Sequence, residues 1–341
     1  MSSRSPLTCV SKSWNSIITN SDFNVIRLKQ AKSLSYNNNN NNGYLLYMPI
    51  RDDDSTSSRK ELCISVWNND RTLTNISKFE TPFGCARLVC FCNGIYLCVS
   101  YYYSNVLYLW NPCIGKFKKL VTTSTGGVHG FAYDSQNNDF KILRMGAEVA
   151  EVYTLSTDSW RKVVISVESL SESTDYIYSS SPCLFFNGAL HSIVQSGSHY
   201  FILAFDVNDE IFREIMLPQN DNYGESGLIP VWLAVLKGSL ALIVISGHTP
   251  WETYTCHISV MREYGVVESW TTKTVPLDFI EGFFGSTDSG ELLIQFFESP
   301  PISFDPENLK GYLLGIEAPH WLSYTAYLME SLVLLDQVNF I

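Results

Sequence analysis

Charged side chains are scarce in this chain, making up 17% of its 341 residues against about 25% in an average globular protein. That scarcity argues against sustained disorder and against long solvent-bridging helices. Basic residues are scarcer still: 23 Lys and Arg face 34 Asp and Glu, for a formal charge of −11. An acidic surface repels phosphate backbones, so no nucleic-acid partner is expected through a broad basic face. The opening sequence MSSRSPLTCVSKSW lacks the apolar stretch of a secretory leader, which gives the expectation of a cytosolic or nuclear protein. Long apolar runs are also missing, with one exception. Residues 228–246, LIPVWLAVLKGSLALIVIS, approach the length of a membrane span, but Pro230 and the central Lys237-Gly238 divide them. Two buried strands joined by a tight Lys-Gly turn account for the same letters, so no membrane partner is expected either.

The signatures of a metal or covalent site are missing as well. Nine cysteines form an odd set without the spacing of a disulfide framework. Cys85, Cys90, Cys92 and Cys98 follow a C-x4-C-x-C-x5-C pattern that lacks the paired knuckles of a zinc site. They read as reduced thiols buried on strands. The six histidines (129, 191, 199, 248, 257 and 320) show no ligand spacing, and neither a Gly-rich phosphate loop nor a G-x-S-x-G elbow occurs. No metal and no cofactor is expected.

What the chain does have is aromatic residues, 13% of the total, a bias that suits pleated, half-buried surfaces. From Tyr44 onward a two-part theme repeats: a polar-Gly turn leads into an apolar strand, and a second strand ends in a polar turn and an aromatic. CNGIYL leads to LYLWNP and KFK, NDFKIL to VYTL and DSW, FNGAL to ILAFD and IFR, LKGSL to HISVM and ESW, and SGELL to ISFDP. Gly94 and Gly188 stand 94 residues apart, Gly188 and Gly238 stand 50 apart, and Gly238 and Gly290 stand 52 apart. A period in the forties to fifties built from short strands is the signature of propeller blades. The expectation is an all-β β-propeller of about six four-stranded blades. A strand near 331–335 is expected to close the ring against the first unit, and a short helix is allowed at 323–328. The lone Gly126-Gly127 doublet does not recur, so standard kelch repeats are not supported.

Residues 1–32 differ from the rest. Val10, Trp14, Ile17 and Ile18 recur at helical spacing, Ser21-Asp22 is a plausible N-cap, and six consecutive Asn, 37–42, read as a linker. The segment CVSKSWNSII followed by Asp22-Phe23 resembles the C-terminal part of a plant F-box. LWNPCIGKFKKL, HGFAYDSQNNDFKIL, EVYTLSTDSWRKV, FFNGALHSIV, ILAFDVNDEIFREIMLP, LAVLKGSLALI, MREYGVVESW and the late MESLVLL resemble, in order, the F-box-associated interaction domain of S-locus F-box and F-box/kelch proteins. The organisation read from this is a partial, helical F-box at 1–32, an Asn-rich linker at 33–43 and an F-box-associated β-propeller at 44–341. The LP-containing opening portion of a full F-box is absent from this sequence.

The resemblance implies a substrate-recognition subunit of an SCF-type (cullin–RING) ubiquitin ligase. Its F-box docks on a Skp-type adaptor and its propeller captures the protein to be ubiquitinated. The residues it offers to the adaptor are Cys9, Val10, Lys12, Trp14 and Ile17. With a shortened F-box the alternative is an interaction scaffold or decoy; from another class, the alternative is a propeller hydrolase. Asp134, Asp158, Asp206 and Asp305 could pass for its acids, but turn contexts such as Asp305-Pro306 point to local backbone hydrogen bonds instead. Trp110, Trp160 and Trp270, read as equivalent turn positions, are assigned to blade packing. For substrate contact the candidates are tyrosines in connecting loops, where a large ring offers contact area with few rotors to freeze: Tyr101, Tyr102, Tyr103, Tyr176, Tyr178 and Tyr223.

Overall fold

The computed structural model describes residues 43–49, 60–84, 86–101, 103, 105–122, 127–146, 150–167, 169, 182–196, 199–218, 231–246, 254–277, 279–317, 319–326, 328, 331, 333 and 335. The helical F-box segment and its five adaptor candidates lie outside the described residues. Those described form twenty-four strands in six four-stranded antiparallel sheets, with no α-helix among them. Blades 2 to 6 follow one another along the chain, over 86–121, 128–163, 184–216, 231–276 and 280–313. Blade 1 is shared between the two ends of the described chain: Gly43–Pro49, Glu61–Trp67 and Leu73–Glu80 supply three strands, and Pro319–Thr325 pairs with the first of them. Consecutive sheets meet at their first strands, Ala86–Cys92, Val128–Asp134, Leu184–Phe186, Val231–Leu236, Ile280–Ser286 and the closing Pro319–Thr325. These six strands surround the axis of the ring.

Two sequence expectations are corrected by the strand pairing. The ring is closed by Pro319–Thr325, not by 331–335, and 323–325 belongs to that strand rather than to a helix. Ser331 and Val333 instead offer their carbonyls to the Asn111 side chain, at 3.1 Å each. Leu335 is buried in the apolar layer between blades 2 and 3. The described residues of the late apolar run thus cover existing blades and belong to no strand.

Six apolar layers fill the six joints between blades. A strand inside a blade feeds two layers at once, because successive side chains point to opposite faces. In Ser239–Ser246, Leu240, Leu242 and Val244 pack toward blade 4, while Ala241, Ile243 and Ile245 pack toward blade 6. Burial on both faces requires a continuous apolar run, which is why 228–246 imitates a membrane span. Its strands, Val231–Leu236 and Ser239–Ser246, are joined by Lys237-Gly238, as expected. That turn and its counterparts Asn93-Gly94 and Asn187-Gly188 hold both central residues at positive φ, between 47° and 78°. This is the twist-matched two-residue hairpin that favours Asn-Gly.

The three tryptophans do not occupy equivalent positions. Trp110 lies on the third strand of blade 2 and pairs with Phe117, whereas Trp160 and Trp270 lie on fourth strands, opposite Tyr153 and Met261. Phe117 is therefore the true equivalent of Trp160 and Trp270. All three tryptophans do pack between blades, as the sequence suggested.

Candidate functional site

Strand alternation sorts every connection onto one of two faces. Turns from first to second and from third to fourth strands share one face, and all but the eight-residue 262–269 run two to five residues: Asn93-Gly94, 135–138, Asn187-Gly188, Lys237-Gly238, 112–115, 155–158, 207–211 and 306–309 among them. Connections from second to third strands and from blade to blade share the other face. The strand ends joined by the segments 50–60, 164–183, 217–230 and 247–254 lie there.

The short-turn face is stapled across the joints. Lys141 bridges blades 3 and 4: its ammonium sits 2.6 Å from Asp134 Oδ2 and 2.7 Å from Glu210 Oε1, and donates to the Val207 carbonyl at 2.8 Å. Arg161 also pairs with Glu210. Lys118 reaches Asp158 at 2.8 Å across blades 2 and 3. Arg71 of blade 1 reaches Glu291 of blade 6 at 2.7 Å and lies 3.6 Å from the Tyr312 ring centroid, while Ser303 donates to the same carboxylate. Lys273 ties blade 5 to the Pro306 carbonyl and to Glu307. His191 Nε2 meets the Tyr264 hydroxyl at 2.7 Å, joining blades 4 and 5. Burial keeps His191 neutral, its pKa pulled down to about 4.

These contacts also settle the role of the four aspartates. Asp134 accepts from the backbone N–H groups of Gln136 and Asn137, Asp206 from those of Asn208 and Asp209, and Asp305 from that of Glu307. Asp158 accepts from the Tyr153 hydroxyl and holds Lys118. Burial works to raise the Asp134 pKa, but hydrogen bonds from Asn137 and Lys141 outweigh it and hold the carboxyl below its ordinary range. Each aspartate shapes its own hairpin on the stapled face, and none lines the central cavity.

That cavity, about 970 Å³, follows the ring axis. Its walls come mainly from the first strands and the adjoining turns, and they are largely aromatic: Phe91, Phe131, Phe185, Trp232, Phe283 and Trp321. Some of these rings brace one another, with Trp232 and Phe283 centroids 5.5 Å apart and Phe91 6.3 Å from Trp321. Leu328 lines it beyond the closing strand. Toward the long-loop face, exposed Arg87 and Tyr101 contribute to the lining. Cys90, Cys92 and Cys183 also contribute. Burial pushes the Cys90 thiol well above its ordinary value and the Cys183 thiol up to about 12, so both stay protonated at neutral pH. Among the described residues no group of His, Cys, Asp and Glu is arranged to hold a metal ion, and none of the seven described cysteines forms a disulfide.

Of the tyrosines singled out in the sequence, Tyr101 and Tyr103 stand on the long-loop face, 43% and 66% exposed. The Lys60 ammonium lies 5.4 Å from the Tyr101 ring centroid. Tyr102, Tyr176, Tyr178 and Tyr223 lie outside the described residues. Sequence reasoning missed Arg87 and the cavity aromatics. The only signal for them was that each sits on the first strand of its repeat or on the strand that closes the ring.

The family described as the F-box associated beta propeller domain matches residues 54–295. An F-box/kelch-repeat protein of Arabidopsis thaliana is 25% identical over 289 residues, covering 77% of this chain and 72% of that protein. A second Arabidopsis F-box protein is 28% identical over 176 residues, covering 45% of this chain and 48% of its own length. Among solved structures, TolB from Acinetobacter baumannii superposes with a TM-score of 0.52 at 10% identity, over 89% of this chain and 72% of that one. At that identity the likeness concerns the fold alone.

Proposed function

We propose that this chain, which belongs to the F-box-associated β-propeller family, is the substrate-recognition subunit of an SCF-type ubiquitin ligase. The observation that carries the reading, beyond family membership, is the division of labour between the two faces. One face is fixed by inter-blade ion pairs; the other gathers the long connections, and loops on a rigid ring are where recognition residues concentrate. Tyr101 and Tyr103 are the described tyrosines offered to a protein substrate there, with Tyr102, Tyr176, Tyr178 and Tyr223 proposed beside them.

The entry of the chain into the ring supports the same reading. Gly43 pairs with Trp67, immediately before the short turn at 68–72, so the strand Gly43–Pro49 begins on the stapled face. Cys9, Val10, Lys12, Trp14 and Ile17 are proposed as the adaptor contacts. A receptor of this kind does no bond chemistry. It raises the effective concentration of substrate lysines near a charged ubiquitin-conjugating enzyme, in the cytosol or nucleus.

The test is a pulldown of the 341-residue chain with a purified Skp-type adaptor, beside a Trp14→Ala, Ile17→Ala variant and a propeller starting at residue 43. Capture by the first alone, retained through size exclusion with cullin present, is the expected result. Equal recovery of all three, or of none, removes the receptor reading and leaves an interaction scaffold.

A further inference from the structure

The central cavity has a chemical bias that the receptor reading does not use. Acidic residues number 34 of 341 in the chain, yet among the described residues that line the cavity there is neither an Asp nor a Glu. One guanidinium is present, that of Arg87, and among the described residues no hydrogen bond or ion pair engages it. The rings of Phe91, Phe185, Trp232, Phe283 and Trp321 form the walls. A volume of about 970 Å³ falls within the range of small-molecule sites, roughly 300–1,000 Å³. Such sites typically combine apolar walls with a few polar groups that fix orientation.

We infer that the cavity binds a small organic anion with a flat, apolar body, its carboxylate held by Arg87 and its rings stacked among the channel aromatics. The walls supply burial of apolar area without direction. Arg87 supplies the direction, since a guanidinium takes a carboxylate through two parallel hydrogen bonds. Because Arg87 stands near the long-loop face, the anionic end is placed toward that mouth and the apolar body deeper along the axis. The inference rests on the cavity alone and holds whether or not the chain engages an adaptor.

The test uses 1-pyrenebutyrate and its neutral counterpart 1-pyrenebutanol as fluorescent probes on the full chain. Two variants accompany it, Arg87→Gln, which leaves the aromatic walls intact, and Trp232→Ala, with melting curves confirming that both are folded. The expected result is saturable binding of the butyrate, roughly tenfold tighter than the alcohol, as one charge-assisted contact allows. Arg87→Gln should abolish that preference while leaving the alcohol's affinity unchanged, and Trp232→Ala should weaken both probes together. Absence of saturable binding to the wild-type chain overturns the inference. So does equal affinity for the two probes, or a preference for the anion that survives Arg87→Gln. An Asp-Trp-containing peptide that binds where the butyrate does not overturns it too, and makes the cavity an anchor for a protein side chain.

Discussion

Removing the Lys141 ammonium tests whether the joint between blades 3 and 4 is held as described. In Lys141→Met the stem and most of its packing remain, while three contacts go: Asp134 Oδ2 at 2.6 Å, Glu210 Oε1 at 2.7 Å and the Val207 carbonyl at 2.8 Å. Glu210 retains Arg161 and is partly exposed, so its loss is modest. Asp134 is fully buried and keeps only the Gln136 and Asn137 backbone donors and the Asn137 side chain. Breaking a buried pair from one side costs about 3–5 kcal/mol, and the surviving donors place this case near the lower end, about 3 kcal/mol. Adding Asp134→Asn removes the stranded charge, so the double variant should recover about 1–2 kcal/mol of that loss. Urea unfolding followed by tryptophan fluorescence at pH 7 reads both numbers. The sign with pH follows from the direction of the Asp134 shift. A carboxyl held below its unfolded value contributes stability above that value, and loses it as pH falls through the folded one. Lys141→Met should therefore flatten the acid limb of the stability profile. A single-variant loss under about 1 kcal/mol, or a double variant less stable than the single, would refute the reasoning.

Other expectations are equally direct. His129 and His191 are both drawn by burial down to about 4, so the unfolded chain binds more protons between about pH 6.5 and 4; stability should fall by up to about 1.4 kcal/mol per pH unit for each, and His191→Leu should lower the slope of urea midpoint against pH. At Gly130 an added Cβ would stand 2.9 Å from the Cys183 Cβ and 2.8 Å from Leu190 Cδ1; Gly130→Ala should cost about 1–3 kcal/mol by overpacking, seen as a lower melting temperature. Leu309 sits at φ 60° and is 52% exposed. Leu309→Asn suits the left-handed region better and should gain about 0.5–1 kcal/mol, an idea that a lowered urea midpoint would contradict.

How much of this was legible in the sequence depended on whether a signal was local. Hairpins such as Asn93-Gly94 and Asn187-Gly188 carry their own turn residues, so the repeat and its six-bladed sum could be read directly. The aspartates were legible for the same reason, since Asp206 and Asp305 bond within three residues of themselves. Pro319–Thr325 was not. Its pairing partner lies some 270 residues earlier, so no Gly turn marks it, whereas the more apolar 331–335 looked like a strand but packs over blades 2 and 3. The cavity was illegible on similar grounds: Arg87, Trp232 and Trp321 each sit in ordinary strand sequence, and only ring closure brings them around one axis.

Closure by the last described strand also sets a timetable for biosynthesis. Gly43–Pro49 is complete long before Pro319–Thr325 exists, and about 276 residues separate Pro49 from Thr325. At about 5–20 residues per second this is roughly 15–55 s of translation. Through that interval the first blade presents an unpaired strand edge, the kind of template on which chains pair wrongly. A chain that ends before residue 319 lacks the closing strand altogether and leaves the ring open. The gap is one strand wide, and a matching strand from another copy could fill it.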